Sequence, residues 1–220
     1  KETVKSCGDL SCIIAAAGMS SRMNAFKPLL ELDGKKVIER TIESALSVSK
    51  SVVLILGNRL GEVRRETEKY GERLIITENE NYAESDMLAS IKLGVKAMPR
   101  CSAFFILPGD MPLVNTATFK KLAEAMPDQG GIVFPVYKGR RRHPPLVSYR
   151  FADSILNYNG EGGLRGLWRE LGEAKEVKVE DEGCELDLDY NSDYLRAKEI
   201  LKQRRQLYGE HKQICKEKGS

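Results

Sequence analysis

Hydrophobic residues along the chain fall into two alternating kinds of segment. Short runs rich in β-branched and aromatic residues have the length of buried strands, and they are SCIIAAA (11–17), SVVLILG (51–57), RLIITE (73–78), SAFFILPGD (102–110) and GIVFPV (131–136). Longer segments with apolar residues at helical spacing lie between them, namely KKVIERTIESALSV (35–48), LGEVRRETEKY (60–70), DMLASIKLGVKAM (86–98) and TATFKKLAEAM (116–126). This order predicts an α/β fold with a mainly parallel central sheet covered on both faces. Ligands of such folds bind outside the carboxyl ends of the strands, so we expect the site in the loops that follow them.

The pattern changes after Val136. The segment YKGRRRHPPLVSY (137–149) predicts a turn between two extended pieces, GEGGLRGLWREL (160–171) predicts a glycine loop that enters a helix, and EVKVEDEGCELDLDY (176–190) predicts paired strands. A long helix is expected from about Ser192 onward. We therefore expect one domain over residues 10–200 and a basic C-terminal tail over 201–220, and the sequence leaves open whether the tail leads into an extension.

Composition is ordinary for a soluble enzyme, with 41% apolar and 30% charged residues and a net charge of +3. No apolar run approaches the roughly 20 residues that cross a bilayer, and no charged-then-apolar leader opens the sequence, so we expect a cytoplasmic location. Five irregularly spaced cysteines predict neither a zinc site nor a disulfide framework. Basic residues concentrate after Arg196, which is compatible with nucleic acid, an anionic partner or a solvated helix face, and the last is favoured.

The loop after the first predicted strand carries the first candidate chemistry. Small residues from Ala15 to Gly18 allow a ligand to approach the backbone closely, and exposed N–H groups at such a turn form an anion-binding concavity. Arg22 and Lys27 add positive charge, which suits a polyphosphate. Neither the P-loop motif nor G-x-G-x-x-G occurs in the sequence, so this is a different kind of phosphate loop.

Several motifs in a fixed order resemble the MobA-like NTP-transferase family and, within it, the molybdenum cofactor cytidylyltransferases. They are AAAGMSSRMNAFKPLL (15–30), PGDMPLV (108–114), GRRRHPPL (139–146), GEGGLRGL (160–167) and LDLDYNSDY (186–194). The resemblance spans roughly Ile13 to Tyr194 and implies a three-layer, Rossmann-like nucleotidyltransferase fold. Where the family usually has glycine, this chain has Asn24, Asp86 and Arg142.

The resemblance also implies an activity, the transfer of CMP from CTP to the phosphate of molybdopterin with release of pyrophosphate. Ala16, Ala17, Gly18, Asn58 and Ser90 would bind the nucleotide. Arg22 and Lys27 would contact the triphosphate and, with Asp110, serve catalysis. A second alanine in the first motif, Ala17, accompanies CTP use in the family, where a second glycine accompanies GTP use. For Ser90 the alternative is a helix-face hydroxyl bonded to a carbonyl one turn back.

Carboxylates in two of these motifs are candidate ligands of Mg²⁺, which favours one or two carboxylates together with phosphate oxygens and water. Asp110 follows a buried strand, and the family carries its magnesium aspartate at this place; the alternative is a turn cap. Strand alternation over 186–189 places Asp187 and Asp189 on one face, and Asp187 is the expected second ligand.

The acceptor side involves Arg141, His143 and Arg165, which the resemblance places against molybdopterin. Its phosphate would attack the α-phosphorus of CTP without a protein nucleophile, and a molybdoenzyme or its maturation factor would receive the product. A structural role for His143 beside proline is favoured over a catalytic one. Two alternatives stay open at this point: a sugar phosphate or other small phosphorylated acceptor, and a non-catalytic nucleotide- or RNA-binding module that uses the basic tail.

Overall fold

A computed structural model of the chain describes residues 9–17, 26–57, 59–84, 86–172 and 174–217, with the backbone alone for 208–217. The strands in these residues are Leu10–Ala15 (β1), Glu31–Leu32 (β2), Lys35–Lys36 (β3), Ser51–Leu56 (β4), Leu74–Glu78 (β5), Ala103–Pro108 (β6), Ile132–Tyr137 (β7), Arg140–Arg141 (β8), Leu146–Ser148 (β9) and Lys175–Lys178 (β10). The helices are Val37–Leu46 (α1), Leu60–Thr67 (α2), Met87–Ala97 (α3), Thr116–Glu124 (α4), Ala152–Asn157 (α5), Gly163–Leu171 (α6) and Asn191–Glu217 (α7). Short 3-10 turns occupy Lys27–Leu29, Glu68–Arg73, Tyr149–Phe151 and Glu182–Cys184.

The central sheet has the strand order β10-β7-β9-β6-β1-β4-β5, and β8 pairs with β7 at one side. Strand β9 runs antiparallel to β6 and β7, whereas β1 is parallel to both of its neighbours, with Ile13 opposite Val53 and Ile106. A separate antiparallel hairpin joins β2 to β3. The structure thus confirms the predicted α/β class and the mainly parallel sheet.

Helices cover both faces of the sheet because its central strands are apolar on both sides. One face buries Ile14, Leu54 and Phe105 beneath α1, α2 and α4. The opposite face buries Ile13 and Val53 beneath α3, α5 and α6. The result is the three-layer arrangement that the resemblance implied.

A third apolar cluster lies outside the sheet, where α7 packs on the β2–β3 hairpin and on two long loops. We call it the C-terminal cluster, and its buried members are Leu32, Val37, Leu113, Leu186, Leu188, Ala197 and Ile200. Helix α7 is continuous from Asn191 to Glu217, so its buried face at Ala197 and Ile200 runs directly into the basic tail. Among the described helices, none combines the length and the apolar character that a membrane crossing requires.

The prediction of paired strands over 176–190 was wrong beyond β10. Residues after Lys178 turn through the 3-10 segment Glu182–Cys184 and then continue without a sheet partner. The cause is Asp181, whose buried carboxylate accepts a hydrogen bond from the Gly183 N–H at 3.1 Å and so turns the backbone locally. The predicted alternation still holds, since Leu186 and Leu188 are buried while Asp187 is exposed and Asp189 partly exposed.

Candidate active site

The loops after β1 and β6 begin side by side at the carboxyl edge of the sheet. The Ala16 N–H donates to the Ile55 carbonyl at 2.9 Å, and the Gly109 N–H donates to the Ala15 carbonyl at 2.9 Å. Both Ala16 and Ala17 are buried where the chain leaves β1. These bonds bring the start of the phosphate loop next to Asp110, as expected for parallel neighbours.

Lys27 joins three distant parts of the chain. Its side chain is only 5% exposed, and its Nζ lies 2.8 Å from Asp189 Oδ1 and 3.7 Å from Asp110 Oδ2. The Leu188 N–H donates to the Asp110 carbonyl at 3.1 Å, which holds the two acidic segments together. One buried ammonium group therefore contacts carboxylates from the loop after β6 and from the segment before α7.

The pKa of Asp110 is raised mainly by burial, and three charged side chains around it also act on it. Burial raises the pKa of Asp110, the Lys27 ammonium lowers it, and the charges of Asp187 and Asp189 raise it again. A divalent cation would relieve this repulsion, so the carboxylates fit one chemically.

The part of the chain that the structure describes contains no group of three or more His, Cys, Asp or Glu side chains arranged to hold a metal ion. A Mg²⁺ ion bound with a nucleotide is commonly held by one or two carboxylates, phosphate oxygens and water, and the sequence predicts Asp110 and Asp187 for those carboxylates.

An open groove of ≈ 940 Å³ lies against β7, β8 and α6. We call it the arginine groove, and its lining residues are Phe134, Arg141, Arg142, His143, Leu164, Arg165, Trp168, Arg169 and Gly172. The three residues predicted to bind the acceptor, Arg141, His143 and Arg165, all line it. Trp168 meets Phe134 edge to face, with ring centroids 5.6 Å apart and planes at 86°. Guanidinium groups beside aromatic faces suit a ligand that combines a phosphate with a planar ring.

Two arginines of the groove already have carboxylate partners. Arg141 donates to Glu176 at 2.7 Å and stands over the Phe134 ring at 4.9 Å, and Arg142 pairs with Glu185. Arg142 is the residue that replaces a glycine of the family pattern, and its ion pair ties the end of β8 to the segment that carries Asp187.

His143 connects the groove to the acidic residues. Burial lowers the pKa of His143, while the backbone of Ile106 and the charge of Asp187 raise it. Its Nδ1 atom is buried and has no hydrogen-bond partner among the described residues. Asp187 lies close enough to act electrostatically on both His143, which lines the groove, and Asp110.

The remaining predicted residues divide into two groups. Ser90 is buried on α3, and its hydroxyl is bonded to the Asn79 side-chain amide at 3.2 Å rather than facing an open surface. Gly18, Arg22 and Asn58 lie outside the described residues. The structure thus brings Lys27 and Asp110 together, places Arg141, His143 and Arg165 in the arginine groove, and leaves Ser90 in a packed interior. The charge of Asp187 acts on Asp110 and on His143.

Sequence reasoning missed three side chains of this region. Asp189 pairs with Lys27; the sequence placed it in the LDLDYNSDY motif and on the same face as Asp187, but no role was predicted for it. Trp168 is the single tryptophan of the chain and follows Arg165 by three residues on α6, so helical spacing placed both on one face. Phe134 lies in a strand and gave no signal beyond hydrophobicity.

Comparison with known proteins connects this region to a family. Residues 12–176 match the model of the MobA-like NTP transferase domain. The chain belongs to the MobA-like NTP transferase family. It is 30% identical to the molybdenum cofactor cytidylyltransferase of Escherichia coli strain K12, over 86% of this chain and 96% of that protein. It is 25% identical to a probable molybdenum cofactor guanylyltransferase of Natranaerobius thermophilus, over 91% of this chain and 97% of that one.

Solved structures agree with the fold of a MobA-like NTP transferase. A nucleotidyl transferase from Methanothermobacter thermautotroptrophicus superposes with a TM-score of 0.76 at 24% identity, covering 89% of this chain and 99% of that one. Rv0371C from Mycobacterium tuberculosis H37Rv, in complex with manganese, superposes with a TM-score of 0.62 at 21% identity, covering 87% and 98%. By family and by fold, this MobA-like protein is a nucleotidyltransferase.

Proposed function

We propose that this nucleotidyltransferase moves CMP from CTP to the phosphate of molybdopterin and releases pyrophosphate. The observation that carries the proposal is the convergence of Lys27, Asp110 and Asp189, in a protein that also has a groove lined by arginines and a tryptophan. The Lys27 ammonium and the nearby carboxylates, which can hold a divalent cation, suit a triphosphate. The arginines and the tryptophan of the arginine groove suit a phosphorylated pterin. The similarity to the E. coli cytidylyltransferase favours this pair of substrates over others.

On the nucleotide side, Lys27 and Arg22 would contact the triphosphate, with backbone N–H groups of Ala16, Ala17 and Gly18 close to its oxygens. The resemblance also assigns Asn58 and Ser90 to the proposed nucleotide site, although the Ser90 hydroxyl is buried and bonded to the Asn79 amide. Ala17 favours CTP over GTP because its methyl group narrows the pocket, although one methyl discriminates by only about 1–3 kcal/mol.

Asp110 and Asp187 would hold the divalent cation, which we propose to be Mg²⁺. Bound there, it would neutralise charge on the phosphate oxygens. Lys27, held by Asp189 and buried, supplies a fixed positive charge for the same purpose without reorganisation during the reaction.

On the acceptor side, Arg141, His143 and Arg165 would hold molybdopterin, and Trp168 offers a face for its pterin ring. An oxygen of the acceptor phosphate forms a bond to the α-phosphorus of CTP while the bond from that phosphorus to the bridging oxygen of pyrophosphate breaks. The protein contributes position and charge, with no covalent intermediate. The product would pass to a molybdoenzyme or its maturation factor.

The test is pyrophosphate release with a divalent metal, molybdopterin and each NTP in turn. We expect release with CTP, and a loss of about 100-fold or more in kcat/KM for Lys27→Ala and Asp110→Asn, since each removes preorganised charge at the reacting phosphates. Lys50→Ala is the matched control, because Lys50 is 73% exposed and pairs only with the surface residue Asp9 among the contacts described. Release with GTP alone would overturn the choice of base, and release with a sugar phosphate but not with molybdopterin would overturn the acceptor.

A further inference from the structure

The three segments that carry the proposed catalytic residues each place a leucine in the C-terminal cluster. Leu32 follows the turn that carries Lys27, Leu113 follows Asp110, and Leu188 lies between Asp187 and Asp189. All three are buried against the face of α7 that holds Ala197 and Ile200. The relative positions of the acidic residues and Lys27 therefore depend on a helix that itself contributes no predicted site residue.

Arg204, near the middle of α7, makes the polar part of this junction. One guanidinium nitrogen donates to the Leu113 carbonyl at 2.8 Å, and another donates to Asp181 Oδ1 at 3.4 Å. Leu113 belongs to the loop of Asp110, and Asp181 begins the segment that carries Asp187 and Asp189. A single side chain thus joins the two acidic segments.

Asp181 is the fixed point of the junction, since its side chain is only 3% exposed. It accepts hydrogen bonds from the Asn115 N–H at 2.8 Å, from the Asn115 side-chain amide at 3.0 Å and from the Thr118 hydroxyl at 2.8 Å. These donors hold Asp181 to α4 whether or not Arg204 is present. Loss of Arg204 would therefore loosen the junction without leaving a buried carboxylate unpaired.

Gly183 also packs closely against the Leu113 carbonyl. A Cβ atom at Gly183 would lie 2.1 Å from the Leu113 oxygen, so only glycine allows the two backbones this close. The Leu113 carbonyl thus contacts both Gly183 and Arg204, and the same two segments are joined again where the Leu188 N–H donates to the Asp110 carbonyl.

We propose that Arg204 is a positioning residue: through the Leu113 carbonyl and Asp181 it sets the separation between Asp110 and the carboxylates of Asp187 and Asp189. The inference rests on the proposed function for its activity readout. It assigns the first part of the basic tail to the support of the active site rather than to a nucleic-acid partner.

The first measurement is the metal concentration that gives half-maximal pyrophosphate release, in Arg204→Ala, Arg204→Lys and Lys202→Ala. Residues that orient metal ligands typically change metal affinity or activity by about 10–100-fold, so we expect Arg204→Ala to need at least about tenfold more metal. The KM for the acceptor should stay within about twofold, because Arg204 does not line the arginine groove. Arg204→Lys should recover part of the loss, and Lys202→Ala, which removes the same charge from an exposed position of α7, should match the wild type.

The second measurement is amide hydrogen exchange, which needs no activity. Arg204→Ala should exchange faster in residues 110–115 and 181–189 while the β1, β4 and β6 peptides stay protected. Wild-type exchange and metal dependence in Arg204→Ala would overturn the proposal. If Arg204→Ala exchanges fast throughout because it does not fold, Arg204→Lys decides: intermediate values in these two segments support the role and wild-type values exclude it. If the wild-type protein releases no pyrophosphate, the proposed function is contradicted but the role of Arg204 is not. Hydrogen exchange would then test the role of Arg204 by itself.

Discussion

The ammonium nitrogen of Lys27 lies 2.8 Å from Oδ1 of Asp189, a residue 162 positions further along the chain. Lys27 is almost fully buried, whereas the Asp189 side chain is 31% exposed. A buried charge is costly unless an opposite charge lies beside it. Asp189 pairs with Lys27 and fixes its position, so the two residues act as one unit.

This pairing predicts a large effect of Asp189→Asn on stability. Removing one partner of a fully buried ion pair destabilises by about 3–5 kcal/mol, and partial exposure of Asp189 should reduce this to about 2 kcal/mol. Urea unfolding monitored by circular dichroism measures the change. Asp9→Asn is the control, since Asp9 also meets a lysine, at 3.1 Å, but is 64% exposed and should change stability by less than about 1 kcal/mol. Equal effects of the two substitutions would contradict a special role for the Lys27 pair.

Gly57, at the end of β4, should not tolerate a side chain. A Cβ atom there would lie 2.3 Å from the Tyr82 ring and 2.7 Å from the Ala17 carbonyl, so Gly57→Ala should destabilise by about 1–3 kcal/mol and displace the start of the phosphate loop. Gly61→Ala is the matched control, because nothing lies within 4 Å of its Cβ position in α2 and alanine favours the helix. Thermal unfolding of both variants checks this; a Gly57→Ala protein as stable as Gly61→Ala would show that the strand ends pack differently.

The single tryptophan provides a direct signal for the arginine groove. Trp168 lines the groove, so a phosphorylated pterin should change its fluorescence, whereas CTP alone should leave it unchanged. Arg165→Ala should raise the Kd for the pterin, measured in this titration, by about tenfold or more, because a charge-assisted hydrogen bond contributes about 1.5–3 kcal/mol. Arg150→Ala removes an exposed arginine bonded to the Gln129 carbonyl and should bind the pterin like the wild type. Quenching by CTP and not by the pterin would show that the nucleotide, rather than the acceptor, binds in the arginine groove.

His143 predicts how stability changes with pH. Burial lowers its pKa below the usual 6.5, so between the two values the unfolded chain binds a proton that the folded protein does not. The free energy of unfolding should therefore fall as the pH drops below 6.5. Above that pH the imidazole is neutral in both states, and His143 lowers the stability no further. His143→Gln should show a shallower loss of stability between pH 7 and pH 5, measured by urea titration at several pH values. An unchanged slope would mean that His143 is protonated equally in both forms.

Hydrophobic patterning predicted most of the fold because its strands are buried on both faces. The runs around Ile13, Val53 and Phe105 could hardly form anything but central strands, and the helices between them had clear apolar faces. Patterning failed over 176–190, where the alternating residues belong to no sheet. The buried hydrogen bonds of Asp181 with Asn115 and Thr118 decide the backbone there, and no local pattern shows which distant donors a carboxylate will meet.

The site could be predicted in part. Motifs placed Lys27, Asp110 and Asp187 at loops that the sheet topology then brings to one edge. The sequence showed Asp189 on the correct face but not its pairing with Lys27, because that contact depends on how α7 closes the C-terminal cluster. The sequence did not predict a role for Arg204, because a basic residue in a basic tail is typical of a solvated helix face. Only the structure shows its hydrogen bonds to the Leu113 carbonyl and Asp181.

The most direct test of a shared site is a crystal structure of the protein with Mn²⁺ and α,β-methylene CTP, in which anomalous scattering locates the metal. We predict one manganese peak held by the carboxylates of Asp110 and Asp187, with Lys27 against a phosphate oxygen and the α-phosphorus facing the arginine groove. A triphosphate bound elsewhere, or a manganese peak remote from Asp110, would contradict the account.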